Sequence, residues 1–248
     1  MIERIDLNAD LGEGDPYDAK LMQYVTSCNI ACGGHTGDTE SMNTALAQAK
    51  RNHVAAGAHP SYPDRDGFGR RDMDISITDL ESSLITQISA LKTFAEQRHI
   101  TLTHVKPHGA LYNRAAKDHA LATLLAQVTA NLLPDAALVG PPASALEATA
   151  RAAAINYTAE AFADRAYTDD GALVPRNQPG AVLATDAART AQALAIASSQ
   201  TVTSQSGQSI PMRAQTICLH GDSHGALNSA KAIRAALDAA GIDVRAPQ

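Results

Sequence analysis

Seven times along this chain a short apolar run ends in residues suited to catalysis or to a tight turn. The runs cover residues 5–10, 28–35, 54–60, 103–108, 137–142, 157–165 and 216–222. Most are followed by a stretch with helical periodicity. Short strands alternating with helices form parallel sheets, and a closed α/β barrel takes about 250 residues as one unit. At 248 residues with no evident linker or repeat, the chain reads as one domain, 1–248. The pattern predicts a barrel of parallel strands whose carboxyl ends build one active site. Six of the seven run ends offer a carboxylate, imidazole, ammonium or guanidinium. Packing alone does not call for so many ionisable groups on one rim.

The intervening helices show in their period and caps. They are expected at 38–51, 78–99, 118–132, 143–154, 186–199 and 225–240. Thr78 to Glu81 reads as a capping box, Asp38 and Asp186 as N-caps, and Gly241 as a terminating glycine. Two long connections, Ser61 to Ser76 and Ala166 to Thr185, follow strand ends, where long loops form lids or substrate walls. The polar stretch Ser198 to Gln208 reads as a solvated loop.

Net charge is −6 and the basic residues are scattered. No basic stripe with interleaved aromatics suggests nucleic acid, and no apolar run reaches the roughly 18–20 residues of a membrane span. The first residues enter a strand directly without a signal-like pattern, so the expected location is cytoplasmic. Three cysteines suit a reducing compartment. Cys28 and Cys32 fall roughly 13 Å apart along an extended strand, beyond disulfide reach, and read as small buried side chains.

Alternation puts Asp6, Asn8 and Asp10 on the barrel-facing side of the first run, with Asp10 at the rim as a base or metal ligand. Glu13 follows in the next turn, as a ligand or as a structural carboxylate. His35 ends a Gly33-Gly34 turn that allows close backbone approach to a ligand. His59 ends the third run. His104, Lys106 and His108 share one face of the fourth. An inward lysine needs an anion, so Lys106 is a counter-charge candidate, whereas His104 lies deeper, as a satisfied core residue. On this reading Lys106→Met abolishes turnover and leaves the fold intact. Glu160, Asp164 and Arg165 end the sixth run, Asp164–Arg165 being either functional or a structural ion pair. His220 and Asp222 end the seventh. Arg70 and Arg71 either clamp a carboxylate or are solvated. His53, His99 and His119 lie in or after helices and read as structural. No phosphate loop, dinucleotide fingerprint, nucleophile elbow or H-E-x-x-H is present.

Taken together, these motifs resemble the LamB/YcsF family. The resemblance rests on Asp6-Leu7-Asn8-Ala9-Asp10-Leu11-Gly12-Glu13-Gly14, Asn29-Ile30-Ala31-Cys32-Gly33-Gly34-His35, Gly57-Ala58-His59-Pro60-Ser61-Tyr62-Pro63-Asp64 and Gly67-Phe68-Gly69-Arg70-Arg71. It continues through Val105-Lys106-Pro107-His108-Gly109-Ala110-Leu111-Tyr112-Asn113, Phe162-Ala163-Asp164-Arg165 and His220-Gly221-Asp222. His224 departs from the family pattern. The resemblance implies a seven-stranded (β/α) barrel of the glycoside hydrolase/deacetylase kind. It also implies the A component of an ATP-dependent 5-oxoprolinase, which opens 5-oxo-L-proline to L-glutamate together with subunits B and C.

On that basis the lactam carboxylate is expected to meet Lys106 or Arg70 and Arg71. ATP, with Mg and bound on the partner subunits, activates the lactam oxygen. Asp10 orients or deprotonates water, and His35, His59 and His108 supply hydrogen bonds or a proton to the departing nitrogen. Asn8, Glu13, Glu160, Asp164, Arg165, His220 and Asp222 complete the substrate contacts. Two alternatives stay open. One is a stand-alone metal-dependent amide hydrolase or deacetylase using Asp10, His59 and His108 as ligands. The other is a non-catalytic substrate-binding subunit.

Overall fold

The structure, a computed structural model, describes residues 4–221 and 225–247. All seven apolar runs form strands. In chain order the elements are β1 (Arg4–Leu11), α1 (Asp18–Leu21), β2 (Ser27–Ala31), α2 (Thr39–Asn52), β3 (Ala55–His59), α3 (Ile77–Gln97), β4 (His104–Val105), α4 (Gly109–Ala115) and α5 (His119–Leu132). Then come β5 (Ala137–Gly140), α6 (Ala145–Ala152), β6 (Tyr157–Phe162), α7 (Asp186–Ser199), β7 (Thr201–Thr203), β8 (Ser209–Pro211), β9 (Thr216–His220), α8 (Ala226–Ala239) and β10 (Asp243–Val244).

Strands β1 to β6 and β9 pair in parallel, and β1 also pairs with β9, which closes a seven-stranded barrel. β10 adds to the lower edge of β1, opposite Arg4 and Ile5. The period of two in β1 divides its side chains cleanly. Ile5, Leu7, Ala9 and Leu11 are fully buried within the apolar core. Asp6, Asn8 and Asp10 hydrogen-bond to inward groups of neighbouring strands. The apolar core therefore lies between barrel and helices, while the barrel interior is a hydrogen-bonded polar stack. Such an interior is stable only when each buried polar group finds a partner.

That stack begins at the amino-terminal end, where Thr26, Ser27 and Thr216 donate to Asp6. Burial nevertheless raises the Asp6 carboxyl above its ordinary range. One layer up, Asn29 donates to both Asn8 Oδ1 and Asp10 Oδ1 at 2.8 Å. Its carbonyl oxygen accepts from His104 Nε2 at 2.8 Å. Burial pushes His104 down to about 3, so the ring is neutral. Gly57 stands beside Asn29 and His104 in register. A Cβ there would lie 2.2 Å from the His104 ring, so glycine is what admits the imidazole.

Several local expectations shift. The cap of α3 is Ser76, which accepts from Asp79, rather than Thr78, because the helix begins one residue before Thr78. Thr185 caps α7, and Asp186 falls in its first turn, where a carboxylate favours the dipole. Asp38 caps α2 in a capping box with Ser41. Gly241, at φ 72°, follows α8 as expected. The stretch expected to be a solvated loop instead carries the β7–β8 hairpin, since Val202 and Ile210 bury one alternating face. No helix among the described residues is long and apolar enough to cross a membrane. Cys28, Cys32 and Cys218 are buried free thiols. Burial raises Cys28 and Cys218 and takes Cys32 up to about 12.

Candidate active site

The carboxyl ends of the strands carry three linked groups of ionisable side chains. The lowest centres on Lys106, which is 2% exposed. Its Nζ lies 2.8 Å from Asp10 Oδ1, 2.9 Å from Glu160 Oε1 and 3.1 Å from Cys218 Sγ. Burial opposes charge on Lys106, Asp10 and Glu160 alike. It would lower Lys106, yet Asp10, Cys218 and Glu160 hold the ammonium well above its ordinary value. Burial would raise Asp10, but His59 and Lys106 keep it well below the carboxylate range. Glu160 rises, burial outweighing Lys106 and the Asp10 charge adding to it. The lysine charge is thus met by the protein's own carboxylates, and the expectation of a counter-charge free for substrate is corrected. Asn8 belongs to the same layer, donating to Glu160 Oε1 at 3.0 Å. Asn8 and Glu160 are engaged beneath the mouth rather than turned toward it.

The second group is Glu13, His35, His59 and His108. His59 Nδ1 lies 2.7 Å from the Lys106 carbonyl, and His108 Nε2 lies 3.0 Å from that of Phe68. The remaining nitrogens, His59 Nε2 and His108 Nδ1, face each other at 3.0 Å. His35 Nε2 lies 3.0 Å from Glu13 Oε1, and its ring stacks on His108 with centroids 3.7 Å apart. Burial holds His35 below its ordinary value against the Glu13 hydrogen bond. Burial, with His59 and His35 adding, holds His108 well below.

The third group is a dyad. His220 Nδ1 meets Asp164 Oδ2 at 2.9 Å, while Nε2 lies 4.0 Å from Asp10 Oδ2. The ring stacks on Phe162. Burial would raise Asp164, but the His220 charge and hydrogen bonds keep it below its usual range. Asp10 Oδ2 links the groups, lying 3.4 Å from His59 Nε2.

The structure therefore gathers Asp10, Glu13, His35, His59, Lys106, His108, Asp164 and His220 at one end of the barrel. Asp222 and His224 lie outside the described residues. Asp164 pairs with His220 and not with Arg165, whose guanidinium donates to the carbonyls of Ala181 and Val174. Arg165 thereby ties down the second long loop. Arg71 does clamp a carboxylate, but that of Asp64 within its own loop. Arg70 is exposed, its guanidinium 4.8 Å from the Phe68 ring centre. Of the expected metal trio, Asp10 Oδ2 lies 3.4 Å from His59 Nε2, which in turn lies 3.0 Å from His108 Nδ1. Among the described residues two sets of ligand atoms each converge within 4.8 Å, one from Glu13, His35, His59 and His108 and one from Asp10, Cys218 and His220.

Three residues escaped the sequence reading. Asn29 was recoverable, since alternation with Ala31 puts it on the inward face of β2. Phe68, which packs edge-on against His35 and His108, had no periodic signal, because it sits in an irregular loop. Cys218 faces Lys106 only because β9 closes against β1 and β6.

Residues 5–248 match the LamB/YcsF family. The chain belongs to the LamB/YcsF family. It is 37% identical to the lactam utilization protein from Thermus thermophilus, covering 98% of this chain and 100% of that one, with a TM-score of 0.91. This LamB/YcsF chain also shares its fold with a family 4 carbohydrate esterase from Streptomyces lividans. That likeness has 10% identity and a TM-score of 0.52, with 98% and 91% of the two chains covered. The likeness to the esterase is one of fold alone, a closed (β/α) barrel.

Proposed function

We propose that this chain is a subunit of an ATP-dependent 5-oxoprolinase, acting with subunits B and C to open 5-oxo-L-proline to L-glutamate. The observation that carries the reading is the full-length likeness to a lactam utilization protein. The grouped acid–base side chains at the barrel mouth support it.

In this reading ATP, bound with Mg on the partner subunits, phosphorylates the lactam oxygen and ADP leaves. Water adds to the imidate carbon and passes a proton to a base. The carbon–nitrogen bond then breaks, the nitrogen takes a proton, and an acyl phosphate remains. A second water hydrolyses this to glutamate and phosphate.

On this reading the roles at the mouth divide differently from those expected from sequence. His59 and Lys106 hold Asp10 well below the carboxylate range, which weakens it as a base, so its Oδ2 orients water. The His220–Asp164 dyad supplies the base. Asp164 fixes the Nδ1–H of His220 and leaves Nε2 on the side of Asp10, 4.0 Å from its Oδ2, the arrangement by which a carboxylate orients an imidazole base. Lys106 acts by keeping Asp10 ionised and in place.

The test is glutamate release from 5-oxoproline by this chain, with and without partner subunits and ATP. Turnover is expected only with both. Full turnover by the chain alone without ATP would refute the proposal in favour of a stand-alone amide hydrolase.

A further inference from the structure

The four side chains Glu13, His35, His59 and His108 have one property that catalysis by the dyad does not use. Backbone carbonyls fix the tautomers of two of the histidines. A carbonyl oxygen only accepts, so His59 carries its hydrogen on Nδ1, toward Lys106. By the same argument His108 carries its hydrogen on Nε2, toward Phe68. In the neutral rings the other two nitrogens are both lone pairs, and they point at each other across 3.0 Å. Glu13 Oε1 adds a third acceptor, 3.5 Å from His108 Nδ1 and 3.9 Å from His59 Nε2. With both rings neutral, three acceptors converge with no donor among them. His59 is 1% exposed and His108 6%.

We infer that His59 Nε2, His108 Nδ1 and Glu13 Oε1 form a binding site for a divalent metal ion of the zinc class. The inference stands on this geometry and not on the reaction proposed above. Two imidazoles and one carboxylate suit such an ion, and three protein ligands leave a fourth position open. With bonds of about 2.05 Å, neighbouring ligand atoms of a tetrahedral site lie about 3.3 Å apart. The observed separations of 3.0, 3.5 and 3.9 Å bracket that value. The His59 and His108 rings are perpendicular, so both lone pairs can reach one point without the rings colliding.

His35 is the positioning residue of this site rather than a ligand. Its ring is parallel to His108 within 3°, so an ion in the plane of His108 lies off the plane of His35. Its Nε2–H instead donates to Glu13 Oε1, holding the carboxylate. Donors of this kind behind a metal ligand typically contribute 10–100-fold in affinity. The carbonyls of Lys106 and Phe68 orient the two imidazoles in the same way. The fourth position is left to an external ligand, and Asp10 Oδ2 lies close by, 3.4 Å from His59 Nε2. A water or a carbonyl oxygen is the ligand class that fits there.

The test uses the full-length chain, stripped with a chelator and titrated with Zn2+ by calorimetry. One ion per chain is expected, with Kd below about 1 µM. Glu13→Gln and His108→Gln should each weaken binding by more than about 100-fold, and His35→Gln by roughly 10-fold, with unchanged far-UV circular dichroism. X-ray absorption of the zinc-loaded parent chain should show two imidazoles in the first coordination shell, a readout independent of any variant's folding. The proposal is overturned by failure to take up Zn2+ at roughly 0.1 mM. Binding undiminished in both Glu13→Gln and His108→Gln overturns it equally. So does an absorption spectrum with fewer than two imidazoles. In the last two cases the facing nitrogens hold a shared proton instead.

Discussion

Replacing Lys106 by methionine tests the account of the barrel interior most directly. Methionine matches the length of the side chain and leaves the apolar walls filled, which from sequence suggests an intact fold. The structure argues otherwise. Lys106 Nζ sits between Asp10 and Glu160, at 2.8 and 2.9 Å, and neither carboxylate is solvated. Removing one partner of a buried ion pair typically costs about 3–5 kcal/mol. Asp10 keeps Asn29 and His59 as partners, so the unpaired charge falls chiefly on Glu160, which retains Asn8.

Glu160 is already raised above its ordinary value beside the ammonium and must rise further without it. A carboxyl raised in the folded state stabilises most below its unfolded pKa, and that stability is lost as pH rises through the folded pKa. The variant therefore loses up to about 1.4 kcal/mol more than the parent per pH unit. The window runs from the Glu160 pKa beside Lys106 to its higher value in the variant. Urea unfolding by circular dichroism at pH 5.5, 7 and 8.5 reads this. The expected gap is about 3 kcal/mol or more at pH 8.5 and clearly smaller at pH 5.5. Adding Glu160→Gln to Lys106→Met should recover part of the loss and flatten the pH dependence. A Lys106→Met protein within about 1 kcal/mol of the parent at every pH would refute the reasoning.

Other outcomes follow from the same geometry. Gly57→Ala places a Cβ 2.2 Å from the His104 ring and should destabilise by about 1–3 kcal/mol in the same unfolding assay. Asp18 is raised to about 6, burial outweighing the Gly12 N–H it accepts. Its stabilising protonated form is lost as pH rises from about 4 through 6, so Asp18→Asn should gain roughly 1–2 kcal/mol at pH 8 and nothing at pH 4. In the reconstituted complex, His220→Gln should lower kcat by about 10²–10⁴-fold. Asp164→Asn should lower kcat with little change in KM, because it misorients the ring rather than removing a substrate contact. Unaltered kcat in both variants would exclude the dyad as the base.

Local order was legible because it depends on local periods. Alternation in 5–10 and in 103–108 placed Asp10 and Lys106 on inward faces, and Asp38 and Gly241 were readable as caps and stops. The hairpin in 201–211 was not, because two short half-buried strands with few apolar residues resemble loop until they find each other. The separate motifs pointed to one rim but not to which groups touch. Lys106 looked like a ligand for substrate because a sequence shows its inward direction and not the two carboxylates, from β1 and β6, that close on it.

The sequence by itself determined the seven strands of the barrel and the rim to which their ionisable residues lead, since each follows from periods within a few residues. Tertiary structure alone decided the partnerships. It paired Asp164 with His220 instead of Arg165, and it brought Glu13 together with His35, His59 and His108. Those pairings join strands and loops far apart in the chain. They are fixed by barrel closure and by the tilt of loops over the mouth, which no local pattern encodes.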